Sequence, residues 1–148
     1  MTLRAQVQVA EQLRLMPYLD CCGKPWRACS CVKKGALTIG WGHNLDAHGI
    51  PKAMAEVLLD DDLTEATHEV DARLTWAQDL SAPRRAVLID MAFNMGIGGL
   101  LGFTNMLTAA ERGDPPAVAR EMRDSRWYQQ VGARAERLVV QWLTDKWQ

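Results

Sequence analysis

Glu11 and Asp20 sit nine positions apart in EQLRLMPYLD, and their side chains are complementary in one specific reaction. Hydrolysis of a glycosidic bond needs a proton for the leaving oxygen and negative charge near the anomeric carbon, and two carboxyl groups flanking the bond supply both. One carboxyl has to stay protonated near neutral pH, which partial burial achieves. The other stays ionised in a polar setting. Leu13 and Leu15 are the apolar neighbours expected to shield Glu11, and the Thr38 hydroxyl is placed to hydrogen-bond a water between the acids. Spacing alone is a weak signal, because 18 of 148 residues are acidic and two solvated surface acids read the same way.

All four cysteines, Cys21, Cys22, Cys29 and Cys31, fall within CCGKPWRACSC. Such clustering implies a local device. Disulfides pinning an irregular loop are the favoured reading for an oxidising compartment. A four-thiolate zinc site is the least favoured reading, because C-C-x6-C-x-C lacks the paired C-x2-C knuckles of familiar zinc sites. Reduced thiols stand between the two.

The elements that must hold these residues follow from pattern. Thr2 caps a helix ending near Leu13, with Leu3, Val7 and Ala10 on one face. Residues 14–22 read as extended chain around Pro17. LTIGWGHN, residues 37–44, reads as the clearest strand, with Ile39, Trp41 and His43 on one face. Thr38, Gly40 and Gly42 on the other leave a strip of bare backbone suited to a flat ligand. Pro51 starts a long helix to about Arg73, with apolar Met54, Val57, Leu58, Leu63, Ala66 and Val70 at helical spacing. Further helices are expected near 82–95, 104–112, 115–124 (capped by Asp114) and 133–145, with a helical turn at RWYQQ. The class is α+β, mainly helical: one domain over 1–148 with a hairpin lobe near 14–50, a connecting helix at 51–73, and a helical lobe of 74–148 plus the N-terminal helix. A groove between the lobes is the expected ligand site.

Composition narrows the partners. A formal charge of -1 and arginines spread without a basic stripe argue against nucleic-acid binding. Residues 1–80 carry 8 basic and 11 acidic side chains, and 81–148 carry 9 and 7, so only the later part is slightly positive. No apolar run approaches the roughly 20 residues of a membrane span, so no stable membrane association is expected. The opening MTLRAQVQVAEQL lacks the pattern of a secretory signal.

Taken in order, E-x-L-R-L-x-x-Y-x-D, T-I-G-W-G-H, M-A-F-N-M-G, G-F-T-N and S-R-W-Y-Q-Q-x-x-x-R-A-x-R resemble the phage-type lysozymes, the endolysins of glycoside hydrolase family 24. The resemblance covers nearly the whole chain. It implies a lysozyme-like two-lobed fold and cleavage of the β-1,4 bond between N-acetylmuramic acid and N-acetylglucosamine in peptidoglycan glycan strands, with no metal or organic cofactor. On the matching positions, Glu11 becomes the general acid, Asp20 its partner carboxylate and Thr38 the third member. The family's usual inverting course would make Asp20 a base or water-orienting group.

The resemblance assigns further roles. Phe93, or else a core residue of helix 82–95, lines the sugar groove. Asn44, Asn94 and Asn105 are candidate sugar contacts, the last two more readily read as helix-end hydrogen bonders. His43 is expected to pair with Asp62, and Arg134 with Glu11 or to fix its orientation. The 17 residues between Asp20 and Thr38 are about a dozen more than compact members have, and they hold every cysteine. Glu121 and Met106 replace a polar amide and a hydroxyl expected along the groove. The whole implies a monomer that accumulates in a host cytoplasm, is released by a separate holin-like protein and acts on the wall in the periplasm. The alternatives are a lytic transglycosylase and a catalytically silent wall-binding or toxin-like module.

Overall fold

Thr2 does what its position predicts: in a computed structural model describing residues 2–148, its Oγ1 accepts from the Ala5 N–H (3.2 Å) and caps α1 (Leu3–Glu11). Gln12, with φ 52°, ends the helix and sends the chain into β1 (Arg14–Leu19). A loop containing a 3-10 turn at Trp26–Ala28 leads to β2 (Leu37–Gly40), β3 (His43–Asn44) and the short α2 (Leu45–His48). The strands form one antiparallel sheet in the order β1-β2-β3. Thr38, opposite Tyr18 on one side and Asn44 on the other, is therefore in the central strand. The register slips between Arg14 and Tyr18, where Pro17 cannot donate to the ladder.

The expected single strand over 37–44 is instead a tight hairpin. Gly40 and Gly42 adopt φ 68° and 77°, a left-handed backbone that side chains disfavour, so the glycines turn the chain and do not floor a groove. Asn44 then caps α2 through Oδ1, which accepts from the Ala47 N–H at 2.9 Å.

These elements belong to one compact unit, Met1–Glu56, and the rest of the chain to a second, Val57–Gln148, with the boundary inside α3 (Lys52–Arg73). Of the apolar series on α3 only Ala66 and Val70 are buried, contrary to the expectation of one buried face. At about 100° per residue Met54, Val57 and Leu58 point to one side of the helix, and Leu63, Ala66 and Val70 to roughly the other. The spacing was helical but described two stripes.

The second unit continues with α4 (Ala82–Leu101), α5 (Thr104–Glu111), α6 (Pro115–Arg123), α7 (Arg126–Val131) and α8 (Ala133–Thr144), after a 3-10 turn at Thr75–Asp79. Asp114 caps α6 as expected, accepting from the Ala117 N–H at 3.1 Å. The break expected after residue 95 is a kink at Gly96 (φ 76°), beyond which α4 resumes. Val87, Leu88, Met91, Met122, Val139 and Trp142 are buried at the centre of this unit. Polar contacts lock its rim: Arg84 Nε donates to the Trp142 carbonyl (3.0 Å), Gln141 Nε2 to that of Pro83 (2.8 Å), and Arg85 makes a bidentate pair with Asp71. No single described helix is long and apolar enough to cross a membrane.

Candidate active site

Glu11 is the last residue of α1, and its exposed carboxylate reaches the hairpin tip. A Cβ on Gly42 would stand 2.9 Å from Glu11 Oε2, so the absent side chain is what lets the carboxylate lie against this backbone. Leu13 and Leu15 do not shield Glu11 as expected; they are exposed themselves, because β1 begins at Arg14 and turns them to solvent.

Asp20 follows β1 directly and is fixed at the other end of β2. Its N–H donates to the Ala36 carbonyl (3.1 Å), and its Oδ1 accepts from the Ala36 N–H (2.9 Å). Gly35 is obligatory in this arrangement, since a Cβ there would overlap Asp20 Oδ1. Among the described residues Oδ2 of Asp20 has no hydrogen-bond partner. Thr38 lies between the two acids along the strand, 4 % exposed, its Oγ1 donating to the Ala36 carbonyl at 3.1 Å. With its proton so committed, that oxygen is an acceptor toward anything beside it. The first unit thus gathers all three residues around β2. The exposed Trp41, at the hairpin tip beside Gly42, was not singled out by sequence spacing; a bare aromatic next to a candidate acid is the signal that finds it.

The match to known proteins decides the family. The phage lysozyme family model matches residues 10–142. The chain belongs to the phage lysozyme family. It is 36 % identical over 94 residues to the pre-baseplate central spike protein Gp5 of Enterobacteria phage T4, covering 61 % of this chain and 16 % of that protein. It is 29 % identical over 93 residues to the probable T4-type lysozyme 1 of Dictyostelium discoideum, covering 61 % of this chain and 55 % of that one. The chain therefore matches only part of the length of these relatives.

Several of the expected site residues have partners of their own within each unit. His43 Nε2 meets the Gly49 carbonyl at 2.6 Å, so this ring nitrogen is engaged by the turn after α2. Asp62, on the second unit, lies beside Glu65, Glu69 and Phe93 around an open cleft. Arg134 Nε and Nη2 hold Asp90 Oδ1, at 3.1 and 2.9 Å, because α8 lays the arginine along α4. Asn94 accepts from Trp127 Nε1 at 2.9 Å, and Asn44 is the cap described above, so both amide oxygens are committed to structure. Phe93, 37 % exposed, and Asn105 both face open clefts of the second unit. Met106, by contrast, is buried.

One charged hub was not foreseen. Glu136 accepts from Arg123 Nε and Nη2 (3.1 and 2.5 Å) and from the Tyr128 hydroxyl (2.7 Å). Arg123, and secondarily Tyr128, hold the Glu136 carboxyl below its usual range, and the same carboxylate raises the Tyr128 phenol.

Proposed function

We propose that this chain is a muramidase that hydrolyses the β-1,4 bond between N-acetylmuramic acid and N-acetylglucosamine in peptidoglycan. The observation that carries the reading is the arrangement of Glu11, Thr38 and Asp20 along β2 in a chain of the phage lysozyme family. Glu11 donates the proton to the leaving oxygen. Asp20 Oδ2 and Thr38 Oγ1, both acceptors, together orient a water through its two O–H groups, and Asp20 takes one of those protons as the water oxygen bonds to the anomeric carbon and the glycosidic C–O bond breaks. Strand rise alone separates the anchoring points of the acids by on the order of 10 Å, which leaves room for that water and supports an inverting course over the shorter spacing of retaining enzymes. Trp41 offers a flat apolar face for a sugar ring.

The wider setting proposed is that of an endolysin: a monomer held in a host cytoplasm, released by a holin-like protein and acting on the wall in the periplasm. The likeness to part of a phage spike protein supports a second setting, a wall-cutting unit carried on the virion. Finding the chain in purified particles, as opposed to host lysate alone, separates the two. The reaction itself is tested by mass spectrometry of digested, purified peptidoglycan. Hydrolysis leaves reducing muramic ends; anhydro-muramic ends would show a lytic transglycosylase, and no cleavage with retained binding a silent wall-binding module.

A further inference from the structure

The loop between Asp20 and β2 holds a cluster that the proposed reaction does not use. Its four cysteines are free thiols, and their sulfur atoms all lie within 4.8 Å of one another. Cys29 Sγ sits 3.4 Å from that of Cys22 and 3.7 Å from that of Cys21. Sulfurs joined in two disulfides would converge pairwise, whereas here one sulfur approaches two others about equally. Four thiolates bound tetrahedrally to one zinc at about 2.3 Å stand about 3.8 Å from each other, so the cluster already has the dimensions of such a shell.

The fold explains how this arises without C-x2-C knuckles. The N–H groups of Cys22 and Gly23 both donate to the Leu19 carbonyl (3.3 and 2.8 Å), so the turn brings the adjacent Cys21 and Cys22 together. Arg14 Nη1 holds that turn through the Gly23 carbonyl at 2.7 Å. The 3-10 turn at Trp26–Ala28 then brings Cys29 and Cys31 back against them.

Charge is a separate observation. Residues 21–36 carry Lys24, Arg27, Lys33 and Lys34 and no acid, a surround that offsets the double negative charge of a four-thiolate zinc centre.

We infer that Cys21, Cys22, Cys29 and Cys31 form a structural site for one Zn²⁺ that closes the loop beside Asp20. Binding sends the thiol protons to solvent, and four protein ligands leave no open coordination position for catalysis. The site's work is mechanical: Asp20 precedes Cys21 directly, and its carboxylate is bonded across the loop's mouth to Ala36.

The test uses the full chain purified under reductant. Elemental analysis and native mass spectrometry are expected to find one zinc per chain, with the thiols protected from maleimide until a chelator is added. Cobalt(II) in its place should give the intense visible bands of a tetrahedral thiolate site. Chelation should lower the melting temperature, and zinc but not magnesium should restore it. Cys29→Ser and, as a second variant, Cys31→Ser should lose stoichiometric metal. Four reactive thiols with no metal taken up from added zinc, or two disulfides whose reduction yields no zinc binding, would overturn the inference. So would equal metal retention in both folded variants. Loss of wall clearing on chelation is a further expectation that rests on the muramidase reading; metal content does not, so the two can fail separately.

Discussion

Gly40 and Gly42 have nearly the same backbone and different surroundings, which makes them a matched pair of probes. Both have positive φ, so alanine at either strains the turn by about 1 kcal/mol. A Cβ at Gly40 meets nothing within 4 Å, whereas one at Gly42 presses on Glu11 Oε2. Melting curves are therefore expected to show similar losses for Gly40→Ala and Gly42→Ala, and peptidoglycan turbidity assays a much larger loss of rate for Gly42→Ala. Equal rates would mean that the position of Glu11 is immaterial. Glu136 gives a second residue-level prediction. Its folded pKa lies below the unfolded value near 4.3, so its stabilisation is complete above that pH and is lost as pH falls through the folded value. The melting-temperature gap between the native chain and Glu136→Gln should thus narrow on acidification below about pH 4. It should be modest throughout, at most about 1 kcal/mol, because about 40 % of each partner side chain is exposed.

Helix caps and starts were legible because each is a local event. Thr2, Asp114 and Pro51 act within a turn of where they stand, and the structure uses all three at helix starts. What pattern could not supply was partnership over distance. Arg134 has several acids open to it by sequence, and only the packing of α8 on α4 selects Asp90. The split of 37–44 into a hairpin was hidden because alternation continues across the turn, and only the sign of φ at two glycines distinguishes it. Asp114→Ala is expected to cost about 1 kcal/mol in denaturant melts, since α6 buries Val118, Ala119 and Met122. Thr2→Ala should cost less, because α1 buries no residue and its fraying releases little packing. The reverse order would show that α1 carries more of the stability than its burial indicates.

Stability of the molecule as a whole should concentrate in the second unit, where the largest fully buried side chains lie. Trp142 is 2 % exposed, and Trp142→Ala should lower unfolding free energy by about 3–5 kcal/mol through lost burial and a residual cavity. The candidate chemistry sits in the first unit, on a three-stranded sheet with little core of its own beyond Leu19 and Thr38. Separating function from the main core allows activity and folding to be perturbed independently. The central claim is that Glu11 supplies the proton and Asp20 the opposing anion. Clearing of purified peptidoglycan by the native chain, Glu11→Gln and Asp20→Asn, each verified as folded by its melting curve, tests it most directly. The account predicts a loss of roughly 100-fold or more for Glu11→Gln and loss of most activity for Asp20→Asn; clearing by folded Glu11→Gln at the native rate would contradict it.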